Sequence, residues 1–140
     1  MFFSDSDEAY RKVYYRFISA AVNRDIECMI AIHKDNPELV NTTVDCLPPV
    51  LFKLIETSYF HTLSEDVFKE MKAMGANLKY EHEVTNHWGL KVNHSLNALA
   101  WLFLVGGDRR LLDGLVALGV DENHASVKFM VTMIHKKETS

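Results

Sequence analysis

Residues 107–121 read Gly107-Asp108-Arg109-Arg110-Leu111-Leu112-Asp113-Gly114-Leu115-Val116-Ala117-Leu118-Gly119-Val120-Asp121, and the reading of this stretch decides the fold. A polar turn comes first, and Asp108 can cap a helix running from Arg109 to Leu118. Leu112, Leu115 and Val116 give that helix an apolar side for its neighbours. Gly119 closes it, because a residue without Cβ adopts the left-handed conformation that ends helices.

The same grammar recurs on either side. Ser64-Glu65-Asp66-Val67-Phe68 is again a polar turn followed by an apolar pair, and it runs to Gly75-Ala76-Asn77. Arg24-Asp25-Ile26-Glu27-Cys28-Met29 opens a third copy, which ends at Asn36-Pro37-Glu38-Leu39-Val40-Asn41 instead. Gly75 and Gly119 are 119 − 75 = 44 residues apart.

The intervening segments are also helical in pattern. Ala9, Tyr10, Val13, Tyr14, Phe17, Ile18 and Ala21 fall at three- and four-residue steps after Ser4 and Ser6, which can cap the start. Ile26 to His33 forms a second helix, and Pro48-Pro49 opens a third over Val50 to Thr57. Thr62-Leu63-Ser64-Glu65 matches a capping box with Thr62 at the cap, and its helix ends at Gly75. Ser95 can cap Leu96 to Val105, which stops at Gly106-Gly107, and a last helix spans Ser126 to Lys136. Asn41-Thr42-Thr43-Val44 leans towards β but has no partner run, so seven short helices in pairs and no strand are expected.

These units resemble ankyrin repeats, whose period of about 33 residues holds two antiparallel helices and a β-turn finger. Gly107-Asp108-Arg109-Arg110-Leu111-Leu112 with Gly119-Val120-Asp121 carries the resemblance best, then Gly75-Ala76-Asn77, then Asp25-Ile26-Glu27-Cys28-Met29. The Thr-Pro-Leu-His opening of the family's first helix is incomplete; Pro48-Pro49-Val50-Leu51 and Ser95-Leu96-Asn97-Ala98 stand in its place. The 44-residue spacing leaves extra residues after Asn77. The resemblance spans about Asp7 to His135 and implies a single all-α domain over residues 1–140. It would be an ankyrin-like solenoid of about three helix pairs plus a C-terminal half-repeat helix. An irregular bundle with the same helices is the rival. Polar end units are expected, with Arg11, Lys12 and Arg16 on the first helix and Lys128, His135 and Lys136 on the last.

Composition narrows the function. Hydrophobic residues make up 48% and charged residues 24%, which is ordinary for a globular chain and excludes disordered and collagen-like classes. Fifteen basic and nineteen acidic side chains leave a net charge of −4, a poor basis for holding nucleic acid. Cys28 and Cys46 have no metal-ligand spacing and read as reduced thiols. The N-terminal residues do not form a signal peptide, and the longest apolar run, Leu96 to Val105, is too short for a membrane span. A cytoplasmic chain is expected, with no membrane partner.

The segment from Leu78 to His94 is the least regular and the richest in chemistry. His82, His87 and His94 with Glu81 and Glu83 could ligate zinc, which would make the chain a metal-dependent hydrolase. The five-residue step from His82 to His87 does not match a helical HExxH pair, and a polar surface loop is the plainer reading. Trp88 either seals the core or reaches a partner, whereas Trp101 lies within an apolar helix and reads as core. No Gly-rich phosphate loop and no ordered Cys-His pair is present, so neither a cofactor, a catalytic metal nor a small-molecule substrate is expected.

The resemblance implies instead a non-catalytic module that binds another protein through its fingers. Asp45, Tyr80, Glu81, Glu83, His87, Trp88, Asp121 and Glu122 are the residues expected at that contact, and their acidic bias suits a basic partner. A small acidic repeat protein with no enzyme attached suggests an inhibitor, such as an immunity protein neutralising a cognate toxin. A structural subunit that assembles through its terminal faces is a further alternative.

Overall fold

The computed structural model describes residues 5–42, 47–84 and 94–139. Seven helices lie among them: α1 (Asp5–Val22), α2 (Ile26–Asp35), α3 (Val50–Thr57), α4 (Glu65–Ala73), α5 (Ala98–Val105), α6 (Leu111–Leu118) and α7 (Ala125–Thr139). None of the described helices is long and apolar enough to cross a membrane.

A small sheet departs from the sequence expectation of no strand. β1 (His82–Val84) pairs antiparallel with β2 (His94–Leu96), with His82 opposite Leu96 and Val84 opposite His94. Three residues per strand are too few for an alternating pattern to stand out. Tertiary packing defines this hairpin: Val84 and Leu96 are buried, while Glu83 and Ser95 between them are exposed.

The odd-numbered helices form a row, α1 on α3, α3 on α5 and α5 on α7. The even-numbered helices lie beside it: α2 packs on α1, and α6 packs on both α5 and α4. Tyr14, Phe17, Leu54, Ile55, Leu99, Leu102 and Trp101 fill the row, with Met29, Met71 and Leu115 buried from the second set. Trp101 is 2% exposed and donates its indole N–H to the Phe52 carbonyl at 2.9 Å, so it is the core residue expected. Tyr10 and Tyr14 of α1 donate to the carbonyls of Thr42 and Pro48, at 3.1 and 2.7 Å, and tie down both ends of the connection that follows α2.

The helix ends repeat one chemistry. After α4, the Gly75 N–H bonds to Lys72 O and the Ala76 N–H to Met71 O; after α6, Gly119 bonds to Val116 and Val120 to Leu115. Both glycines have positive φ, +89° and +117°, as the sequence grammar requires. α1 ends with the same pair of bonds, Arg24 to Ala21 and Asp25 to Ala20, but there Arg24 adopts φ +60°.

Three helix starts shift by two residues or so. Ser64, not Thr62, caps α4 and accepts from the Asp66 N–H. Asn97, not Ser95, caps α5 and accepts from the Ala100 N–H. Asp108 accepts the Arg110 N–H within a turn, and α6 begins only at Leu111. The terminal helices carry Lys12, Arg16 and Lys128 on exposed positions, but α7 also exposes Val131 and Met133, so that end is less polar than expected.

Candidate partner-binding edge

The connections that follow α2, α4 and α6 are stitched together by side-chain amides. Asn41 donates to the Gly75 carbonyl at 2.9 Å and accepts the Asn77 N–H at 2.7 Å. Asn97 donates to the Asp121 carbonyl at 2.8 Å, while its own N–H bonds to Ser126 Oγ. Asn77 and Asp121 then each accept the N–H two residues on, from Lys79 and Asn123. The same bond therefore shapes both turns, which is how short polar side chains set a chain reversal.

The hairpin is seated on an aromatic cluster. Phe52 of α3 meets Tyr80 edge-to-face at 5.3 Å, and Trp101 of α5 meets the His82 ring edge-to-face at 5.2 Å. Tyr80 Oη lies 3.5 Å from His82 Nδ1. Burial raises the Tyr80 pKa and lowers that of His82, where nearby Glu56 opposes the effect only in part. The His82 ring thus packs against Phe52 and Trp101, where burial favours its neutral form.

A polar chain joins the hairpin to the last connection. Ser126 N–H donates to His124 Nδ1 at 3.1 Å. Nε2 faces Glu81 Oε1 at 3.3 Å, and Ser126 Oγ sits 2.7 Å from Nδ1. A serine, a histidine and a glutamate in sequence invite comparison with a nucleophilic triad. Here Ser126 is buried, its oxygen accepts the Asn97 N–H, and the His124 ring accepts the Ser126 N–H at the start of α7.

Of the residues expected at a partner contact, Glu81, Glu83, Asp121 and Glu122 are all exposed. The Glu81–His124 contact brings the two acidic segments together. Tyr80 is half-buried and is shared between the edge and the core cluster. Asp45, His87 and Trp88 lie outside the described residues. The same holds for His87 as a zinc ligand, and for His94 only the backbone, in β2, is described. Among the described residues no three candidate metal ligands gather.

Two features escaped the sequence reading. Tyr59 and Phe60, at the turn between α3 and α4, are 62% and 81% exposed and stack edge-to-face at 4.8 Å. Their signal was two adjacent aromatics just beyond the last residue of the α3 pattern. The second is Ser58, whose hydroxyl donates to the Ile55 carbonyl and accepts the Asp108 N–H at 2.9 Å, joining the α3–α4 and α5–α6 turns. Beside it the Arg110 guanidinium bonds Asp108 and holds that carboxyl below its usual range.

No protein-family model matches this chain, and no curated protein or solved structure gives a significant match.

Proposed function

We propose that this chain is a non-catalytic protein-binding module built of ankyrin-like repeats, three helix pairs and a terminal half-repeat, and that its finger edge engages a basic protein. The row of odd-numbered helices, the repeated glycine-ended turns and the cross-connection amides of Asn41 and Asn97 support the repeat reading. The observation that carries the partner reading is the Glu81–His124 contact, which joins the segment holding exposed Glu81 and Glu83 to the segment holding exposed Asp121 and Glu122. Like charges collected on a rigid edge steer an oppositely charged partner and accelerate its docking.

Within that class the chain acts as an inhibitor, with an immunity protein that neutralises a cognate toxin as the concrete version. The acidic charge supports this step together with the resemblance.

The test is a charge reversal. Glu83→Lys with Glu122→Lys alters two exposed side chains, so melting should stay within a few degrees of the parent. Affinity capture followed by mass spectrometry should recover a basic protein with the parent and not with the double variant. Equal recovery by both forms, or recovery of acidic partners only, would refute the edge as the binding surface.

A further inference from the structure

The second set of helices carries a feature the edge does not use. Between α4 and α6 lies an apolar groove of about 360 Å³, lined by Phe68, Leu115 and Leu118 and crossed at one side by Gly114. Gly114 stands in the middle of α6, where glycine is among the worst helix formers. Among the described residues no close approach requires it. The three atoms nearest a Cβ built there all belong to Glu65, at 3.7–3.9 Å, which is ordinary van der Waals contact. Gly107 is the contrasting case, where a Cβ would collide with Ser58 and Ile55. Gly114 thus weakens its helix while keeping the groove wide, and that is intelligible if something outside the chain approaches α6 closely.

The charges around the groove say what kind of segment that is. Glu65 overhangs Gly114 and Asp113 adjoins it, against the single ammonium of Lys69. On the rest of α4, Asp66 and Glu70 add two further carboxylates and Lys72 a second ammonium, so four carboxylates stand against two ammonium groups. We infer that the α4–α6 groove is a second docking site, separate from the finger edge, for an amphipathic helix of a partner protein that inserts a leucine-sized side chain over Gly114 and sets a lysine or arginine one turn away against Glu65. Helix-in-groove recognition of this type takes its apolar anchors at i and i+4 and its specificity from the flanking charge.

The experiment uses the full chain labelled with ¹⁵N and two synthetic helical peptides of alanine and leucine, identical except that one carries lysines beside its leucines and the other glutamates. The lysine peptide should shift the Phe68, Gly114 and Leu118 amides saturably, with the glutamate peptide at least tenfold weaker. Gly114→Leu should abolish the shifts. Gly114→Ala, which leaves the fold intact and should raise the melting temperature by a few degrees, should weaken binding several-fold. Glu65→Lys should reverse the preference between peptides. Glu83→Lys, on the finger edge, should change none of this, so the two surfaces fail or succeed separately. Absence of saturable shifts, equal binding of both peptides, or unchanged binding by Gly114→Leu overturns the inference. So does self-association of the free chain that Gly114→Leu removes, which would assign the groove to a second copy.

Discussion

Gly107 shows how a single missing atom positions two helix pairs. A Cβ there would lie 2.8 Å from Ser58 Oγ and 2.9 Å from the Ile55 carbonyl oxygen, and the latter is backbone that cannot swing aside. The close approach lets Ser58 reach the Asp108 N–H and so couples the turn after α3 to the turn after α5. Gly107→Ala should therefore destabilise the chain by about 1–3 kcal/mol, the usual cost of overfilling a packed contact. Chemical denaturation of that variant checks it, and a change below a few tenths of a kcal/mol would mean the two turns are not rigidly joined. The sequence marked Gly106-Gly107 as a helix end, which Gly106 fulfils with φ +70°. It gave no sign that the second glycine serves packing, because that requirement lies, beside the Leu102 side chain, in residues 49 and 52 positions away.

At the scale of elements, legibility follows the range of the forces. The seven helices were legible because burial of one side imposes a 3.6-residue period on each segment. The α3 span, Val50–Thr57, came out unchanged. Helix starts were less legible: Thr62 and Glu65 satisfy the capping-box spacing, yet Ser64, next to the first turn, takes the cap. Asn97 outcompetes Ser95 because its amide also reaches Asp121. The hairpin was illegible, since its inner residues are selected by Phe52 and Trp101 rather than by local pattern. That packing has a titration consequence. His82 has a lowered pKa in the folded chain, so between this value and the unfolded value of about 6.5 the unfolded chain binds more protons. The contribution of neutral His82 is present above about pH 6.5 and is lost as pH falls through the folded value. Glu56 opposes this in part, and Tyr80 does not ionise in the window. Stability measured from pH 7.5 to 5 should fall more steeply for the parent than for His82→Gln. Parallel slopes would mean that the ring is not held in a desolvated site.

For the whole molecule, the exposure of Glu81, Glu83, Asp121 and Glu122 was legible because charged side chains in the connections between helices face water, whereas the groove beside Gly114 was not. A helix-interior glycine reads only as a weak point until its surroundings are known. The row of helices raises a last question, whether the chain unfolds as one unit or from its ends. On the proposed repeat reading each pair contacts mainly its neighbours, and stability is a sum over units and the interfaces between them. Asn41 lies at the first interface, bonding Gly75 and Asn77, and Asn97 lies at the last, bonding Asp121. Asn41→Ala removes two hydrogen bonds at an exposed site, a loss on the order of 1–2 kcal/mol. In native-state hydrogen exchange it should lower the opening free energy of α1 and α2 amides by that amount while α5 and α7 amides change much less. Asn97→Ala should do the reverse, loosening α7 while sparing α1 and α2. A uniform loss across all helices in both variants would mean a single cooperative core, and it would favour the irregular bundle over stacked repeats.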